Sequence, residues 1–297
     1  MEKTFDQIFR ETFTVLKKSI SGILKVFGIC FGGTVLVSLA AAAVLGMAFV
    51  KNINDSDYIQ GYLQTASVSV GLFVMLAFLF LFVLYYISYC CTVLIIRNNA
   101  LGYQESFKAT FSKSFGKFFK ALCAVILMTV IYCLIIGVIG VVPFALSIMK
   151  QNILVMILGI ILSVIISIIL IPPCYTGFYG ILCQDGNFFS ILNDSIRLGF
   201  KKWFKIFWYM LLLTIVCSIA MGISLGILIY VLRFINLLIT GNMFAFTVQV
   251  RILVFAFEII VGLFSLCYFT ILYLDISGVK QPEVIMGPIT PLENKPF

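Results

Sequence analysis

Residues 153–171 read ILVMILGIILSVIISIILI and contain no charged side chain. A helix needs about 20 mostly apolar residues to cross the hydrocarbon core of a bilayer. The strands of a membrane barrel would instead alternate apolar and polar residues over segments of about ten. Because residues 153–171 form one continuous apolar block, they predict a transmembrane helix.

The rest of the chain has the same character. Hydrophobic residues make up 62% of its 297 residues and charged residues 11%, whereas about a quarter of the residues are charged in soluble domains. Six apolar runs are long enough to span a bilayer, which predicts an all-α integral membrane protein with six transmembrane helices. The runs are about 22–50, 66–96, 118–149, 153–183, 203–232 and 250–276.

Lysine and arginine residues lie mostly on one side of these six runs. Sixteen of the twenty fall on the side that holds both termini, and the other four are Lys51, Lys150, Arg233 and Arg251. The positive-inside rule therefore predicts that both termini are cytoplasmic. We interpret the net charge of +8 as topology plus attraction to anionic lipid and not as a sign of nucleic-acid binding, because phenylalanines lie between the lysines.

Three segments combine aromatic and basic residues in the same register. Residues 107–122 carry apolar side chains at steps of four and three, and the same pattern recurs 102 residues earlier and 85 residues later. Such a pattern predicts an amphipathic helix lying along the membrane interface, with aromatics in the acyl region and lysines among the headgroups. The residues that define these aromatic–basic segments are Phe9, Phe13 and Lys18; Phe111, Phe115 and Lys120; and Phe200, Trp203 and Lys205.

Each aromatic–basic segment precedes two apolar runs, so the chain reads as three tandem units, at about 4–97, 104–183 and 190–276. Because each unit crosses the membrane twice, the repeats are expected to be parallel, each a cytoplasmic elbow helix followed by a helical hairpin. Together they would form one membrane domain over residues 1–277. Residues 278–297, with four prolines, predict an extended cytoplasmic tail.

The last run closes with TILYLDISGV, residues 270–279. With the basic–aromatic segments ahead of helical pairs, this string resembles the YciC-like bacterial membrane proteins and the membrane domain associated with some glycerophosphodiester phosphodiesterases. Leu272, Tyr273 and Asp275 fit the L-Y-x-D-like string of that group, but Ser277 and Gly278 stand where a basic residue usually follows. The resemblance implies a six-helix protein of the bacterial inner membrane, in a group largely without an assigned activity.

The residue types limit the chemistry. The chain has no histidine, which excludes the usual zinc ligand and the Ser-His and Cys-His nucleophile pairs. Its nine cysteines lie within or beside apolar runs without CxxC spacing, so we interpret them as packing residues. We therefore predict no catalytic residue, no metal site and no cofactor.

One acidic residue, Glu258, lies well within a predicted span. An ionised carboxylate in hydrocarbon is costly, so Glu258 is expected to be protonated, hydrated or paired with Arg233 or Arg251. These three residues are a candidate intramembrane polar site. The alternative is a structural ion pair, or a protonated glutamic acid bonded between helices.

Two further features of the sequence concern the shape and packing of the predicted spans. Pro172 and Pro173 predict an interruption of the fourth span, because proline removes a backbone donor and clashes with the preceding turn. Rows of small residues four apart predict close helix packing, and a pore lining is the alternative. The rows are Gly28 and Gly32; Gly159, Ser163 and Ser167; and Thr214, Ser218, Gly222 and Gly226.

Three functions are compatible with these features. The first is a non-catalytic scaffold or accessory subunit that contacts lipid and either a partner membrane protein or a second copy of the chain. The second is a transporter or lipid-handling channel with its site near Glu258 and the break at Pro172 and Pro173. The third is an intramembrane lipid enzyme, which a single buried carboxylate supports least.

Overall fold

The computed structural model describes residues 3–50, 59–103, 105–150, 153–239 and 243–279. These residues form helices joined by short turns, and six of the helices are long and apolar enough to cross a membrane. The predicted all-α membrane fold with six spanning helices is confirmed. The helices are α1 (Phe5–Val50), α2 (Ile59–Leu101), α3 (Phe107–Lys150), α4 (Ile153–Cys183), α5 (Phe188–Lys201), α6 (Trp203–Ile239) and α7 (Met243–Ser277).

The first three helices are longer than a bilayer is thick. Helix α1 has 46 residues, which at about 1.5 Å per residue is about 69 Å, against about 45 Å for a bilayer with its headgroups. Helices α2 and α3 have 43 and 44 residues. Each must therefore extend beyond the hydrocarbon at one end or both.

Two of the three aromatic–basic segments do not form the separate elbow helices that were predicted. Only the third forms a helix of its own, α5, which ends at Lys201. The next residue, Lys202, has φ −108° and ψ 21°, which is not a helical conformation. The first and second continue without a break into the spans of α1 and α3. No proline lies within either segment to interrupt the helix.

The spans pair as three helical hairpins, α1 with α2, α3 with α4, and α6 with α7. The second helices of these hairpins, α2, α4 and α7, contact one another in the middle of the bundle. Each aromatic–basic segment packs beside the end of one central helix: the start of α1 on α7, the start of α3 on α2, and α5 on α4. The first and last helices of the chain are therefore in contact, and the bundle closes into a ring.

The buried core lies at one end of the bundle, where α1, α3 and α5 begin and α2, α4 and α7 end. We call it the basic end. Toward the opposite end, the described parts of the helices expose large apolar side chains on most faces. Such faces suit lipid, which is as apolar as the side chains themselves.

Helix α4 continues through Pro172 and Pro173, so the predicted interruption of the fourth span is not seen. The missing N–H of Pro173 would have bonded the carbonyl of Ile169, and the indole Nε1–H of Trp203 donates to that carbonyl at 3.0 Å instead. The hydroxyl of Thr176 lies 3.0 Å from the Pro172 carbonyl oxygen. Neighbouring donors and acceptors of this kind allow a membrane helix to tolerate proline.

The predicted rows of small residues divide between packed and exposed. Gly159, Ser163 and Ser167 face α3, where the Ser167 hydroxyl lies 2.9 Å from the Tyr132 hydroxyl. A Cβ on Gly159 would come within 2.6 Å of Pro143, so this row does support close packing.

The rows on α1 and α6 do not pack within the described chain. A Cβ on Gly28 or Gly32 would meet nothing within 4 Å, because α1 meets α2 through Gly22 and Gly33 instead. On α6 the row is exposed, since the helix packs through Leu213 and its neighbours. The exposed row consists of Thr214, Ser218, Gly222 and Gly226.

Candidate functional site at the basic end

At one matched position each aromatic–basic segment buries a small residue, and at the next position each exposes a phenylalanine. Thr12, Ser114 and Gly199, which are related by the shifts of 102 and 85 residues, are all buried. Their small side chains allow α1, α3 and α5 to approach the central helices closely. The next residue of each segment is a phenylalanine, and its exposed fraction is similar in all three: 56% for Phe13, 46% for Phe115 and 51% for Phe200.

The close approach is visible at each small residue. The thiol of Cys267 on α7 lies 3.6 Å from the carbonyl oxygen of Thr12. The hydroxyl of Ser114, which donates to the carbonyl of Phe111 at 2.6 Å, lies beside Cys91 on α2. A Cβ on Gly199 would lie only 2.6 Å from the Cα of Pro173 on α4. The first segment also packs a ring edge-on against α7, with 5.1 Å between the ring centres of Phe9 and Phe264.

A cluster of tyrosines joins the three central helices. The hydroxyls of Tyr89 on α2 and Tyr179 on α4 are 3.3 Å apart, and the hydroxyl of Tyr175 donates to the carbonyl of Phe269 on α7. Tyr273 on α7 accepts a hydrogen bond of 2.7 Å from the side-chain amide of Gln184. Buried hydroxyls need such partners, so these bonds fix the register of α2, α4 and α7.

A partly buried ion pair lies beside this cluster. The ammonium of Lys205 on α6 is 2.9 Å from the carboxylate of Asp275 on α7, and their side chains are 16% and 6% exposed. The backbone N–H of Lys3 donates to the other carboxylate oxygen of Asp275 at 3.1 Å. Asp275 therefore ties the start of α1 to the last hairpin.

A second ionic group surrounds the turn between α4 and α5. The carboxylate of Asp185 lies 2.9 Å from the ammonium of Lys117 and 3.3 Å from the guanidinium of Arg97. Partial burial alone would raise the pKa of Asp185, but the hydrogen bond and charge of Lys117, with the charge of Arg97, outweigh it and lower that pKa below its usual value. Lys117 also donates to the carbonyls of Ile181 and Gln184.

Three open cavities at the basic end are lined by cations. The largest, about 640 Å³, contains Lys3, Lys201 and Lys202 with Glu11 and Asp275. The second, about 280 Å³, is lined by Leu94, Arg97, Lys113, Gly116, Lys117, Lys120 and Asp185. The third, about 220 Å³, contains Lys18 and Lys25 beside Asn98, Asn99 and Glu105. Most of the cations that the sequence places in the aromatic–basic segments therefore line recesses at the same end of the molecule.

The predicted intramembrane polar site is not assembled. Glu258, Arg233 and Arg251 are all exposed, and the ion pairs found among the described residues do not join Glu258 to either arginine. Helix continuity at Pro172 and Pro173 also removes the broken backbone that the transport interpretation needed.

Sequence reasoning missed the ionic and tyrosine groups. A signal was present, because ILCQD (181–185) at the close of α4 and ILYLD (271–275) near the end of α7 each place an aspartate four residues after an isoleucine. Both aspartates are ion-paired in the structure. Leu272, Tyr273 and Asp275, quoted above for the family resemblance, are all buried in the core of the basic end or paired beside it.

Comparison with known proteins adds no relative. No protein-family model, no curated protein and no solved structure matches the chain. Among the described residues, no group of three or more cysteine, aspartate or glutamate side chains is placed to hold a metal ion. The predicted tail falls largely on residues 280–297, which lie outside the described part of the chain.

Proposed function

We propose that the protein is a non-catalytic scaffold or accessory subunit of the bacterial inner membrane that binds anionic lipid at its basic end and holds partner proteins. The proposal places the basic end and both termini in the cytoplasm. The observation that carries it is the equivalent exposure of Phe13, Phe115 and Phe200 beside cation-lined cavities. Aromatics that enter the acyl boundary beside lysines that meet headgroups are the features by which amphipathic segments bind anionic membranes.

The proposal includes the three parallel repeats. It is supported by buried positions that coincide when the chain is shifted by 102 and then 85 residues. Three sets coincide, and every member is buried: Ile8, Thr110 and Ser195; Thr12, Ser114 and Gly199; and Ser19, Ala121 and Ile206. Amphipathic periodicity alone would repeat the apolar pattern, but it would not require each segment to pack on the end of a central helix.

A non-catalytic role is supported by the way the buried polar groups are used. Tyr273 is bonded to Gln184 and lies 3.2 Å from the hydroxyl of Ser195, and Lys205 is paired with Asp275. These contacts connect different helices, as structural bonds do.

A partner helix, or a second copy of the chain, is the other proposed contact. The exposed row on α6 supports it, because small residues four apart let two helices approach closely in lipid. Gly222 lies in that row with nothing within 4 Å of its Cβ position.

Purification in a mild detergent tests both parts of the proposal. We expect anionic phospholipids to be enriched in the purified protein relative to the source membrane, and a partner protein or a second copy to co-elute in a fixed ratio. The Gly222→Leu variant should lose the co-eluting chain while keeping its lipid. A lipid composition equal to that of the bulk membrane would contradict the lipid-binding role.

A further inference from the structure

The cavity of about 280 Å³ between α2 and α3 has the chemistry of a phosphate site. Its lining carries four cations, Arg97, Lys113, Lys117 and Lys120, and one carboxylate, Asp185. A phosphate group bears negative charge on oxygens that accept several hydrogen bonds at once, and clustered guanidinium and ammonium groups are its usual protein partners.

The four cations of this cavity differ in how many of their N–H donors already have a hydrogen-bond partner. Lys117 is fully engaged, with bonds to Asp185 and to the carbonyls of Ile181 and Gln184. Lys113 bonds Glu105. Arg97, Lys113 and Lys120 therefore keep donors that are available to a ligand, and Lys120 is the one of the three that is bonded to a carbonyl and not to a carboxylate.

The guanidinium of Arg97 gives a second and independent reason to place an anion in this cavity. Its side chain is 15% exposed and makes one contact of 3.3 Å, from a terminal nitrogen to Asp185. Its Nε is buried and has no hydrogen-bond partner among the described residues. A guanidinium has five N–H donors, and a buried donor without a partner is costly, so a ligand that accepts from Nε and a terminal nitrogen would satisfy it.

Lys120 completes the cavity on the side of α3. Its ammonium donates one bond of 3.2 Å, to the carbonyl of Gly186, which leaves two of its three donors. Gly186 follows Asp185 in the same turn, so Arg97 and Lys120 are both held by one short loop. On the same stretch of α3, Phe115 and Phe119 are 46% and 66% exposed.

We propose that this cavity binds the phosphate group of an anionic phospholipid, with Arg97 and Lys120 as its principal donors. The assignment rests on the proposed function and deepens it by naming the site and the headgroup chemistry. Free phosphate would satisfy the same donors, but a phospholipid is favoured because the same helix also exposes apolar side chains such as Phe119 to its surroundings.

Among the described residues that line the other two basic cavities, no buried side-chain donor lacks a partner. In the largest, Lys3 is paired with Glu11 at 2.5 Å, and two carboxylates face three lysines. In the smallest, the ammonium of Lys25 lies over the ring of Phe107 at 5.7 Å from its centre. The site between α2 and α3 is therefore the one that an anion would complete.

The test is a titration of the detergent-purified full chain with phosphatidylglycerol, with the bound lipid counted by native mass spectrometry. Lys120→Gln should weaken binding about tenfold, which is the loss of one charge-assisted bond. Lys108→Gln is the matched control, because Lys108 is exposed on the same helix and does not line the cavity; its affinity should stay within about twofold of wild type. Asp185→Asn removes the carboxylate that competes for Arg97, so it should bind more tightly than wild type, a gain that misfolding would not produce.

Equal losses in Lys120→Gln and Lys108→Gln would overturn the site, as would equal binding of phosphatidylglycerol and phosphatidylcholine. A parallel titration with inorganic phosphate, followed by thermal unfolding, separates the two sources. Stabilisation by phosphate that Lys120→Gln abolishes, together with unchanged lipid binding, would reassign the cavity to a soluble anion. If wild type prefers anionic lipid and Lys120→Gln keeps that preference, this site alone is wrong; if wild type shows no preference, the proposed function fails as well.

Discussion

The contact between α5 and α4 makes a sharp prediction at Gly199. A methyl group there would lie 2.3 Å from the Thr176 hydroxyl oxygen, 2.6 Å from the Cα of Pro173 and 2.9 Å from its nitrogen. Two of these atoms belong to the backbone, so no side-chain rotation relieves the overlap. An ordinary contact starts at 3.4 Å, which requires the helices to separate by about 0.8 Å.

The expected cost follows from two opposing effects. Overpacking of this kind costs about 1–3 kcal/mol or more, and the backbone overlap places Gly199→Ala at the upper end. Replacing glycine by alanine within a helix returns about 1 kcal/mol, so the net loss is about 2 kcal/mol. At about 2–4 °C per kcal/mol, Gly199→Ala should lower the Tm by about 4–8 °C.

Gly262→Ala is the matched control, since a Cβ at that position on α7 meets nothing within 4 Å. This variant should show only the gain in helix propensity of alanine over glycine, so its Tm should rise by about 2–4 °C. A thiol-reactive dye can follow unfolding in detergent, because Cys90, Cys91, Cys183 and Cys267 are buried and become reactive when the helices separate. The reasoning is refuted if Gly199→Ala is as stable as wild type while the control behaves as expected.

Three further predictions concern the polar contacts of the basic end. Trp203→Phe should lose about 1–2 kcal/mol of stability, because the carbonyl of Ile169 loses the indole that donates to it. Trp208→Phe, on the same helix, is the control. Equal Tm shifts in the two variants would contradict the role of the Trp203 indole. Lys205→Met should cost about 1.5–3 kcal/mol because it leaves the largely enclosed carboxylate of Asp275 without its ammonium partner. Lys205→Met combined with Asp275→Leu should recover most of that loss in the same unfolding assay, and a double variant no better than the single one would count against the pair. The pKa of Asp185 is lower in the folded protein than its unfolded value of about 3.9, so its contribution is complete above that value and is lost as the pH falls through the folded pKa. A Tm profile between pH 6 and 3 should therefore fall less steeply in Asp185→Asn than in wild type, and parallel profiles would exclude this residue as the cause.

The spanning helices could be predicted from the sequence because their signal is local. A run such as residues 153–171 has no charge for a full bilayer thickness, and only a helix satisfies its backbone in lipid. The matching positions of the three aromatic–basic segments could also be identified in the sequence, since two constant shifts relate Phe13, Phe115 and Phe200.

The contacts between segments could not be predicted, because they depend on which helices meet. Periodicity does not say that the start of α1 packs on α7, or that Trp203 satisfies a carbonyl 34 residues away. The row of small residues at Gly28 and Gly32 predicts a close approach, but α1 meets α2 one residue later, at Gly33, where a Cβ would lie 2.4 Å from Leu84. A small residue permits contact with a neighbouring helix without specifying which face that helix occupies.

Glu258 illustrates the limit of reasoning from single residues. An intramembrane carboxylate suggests a functional site by its cost alone, yet the structure places it on an exposed face. The paired carboxylates are Asp185 and Asp275, at the ends of central helices. Their importance came from the cations that neighbouring segments bring to them, which is information carried by the tertiary fold.

The depth of three labels tests the central claim most directly. Nitroxides placed singly at positions 13, 115 and 200, with the exposed Cys123 and Cys133 replaced by alanine, would report their collisions with oxygen and with a water-soluble nickel complex in lipid vesicles. We expect all three labels at the same depth in the cytoplasmic leaflet, within one helical turn of about 5 Å. A label in the opposite leaflet, or three labels at unrelated depths, would contradict the account.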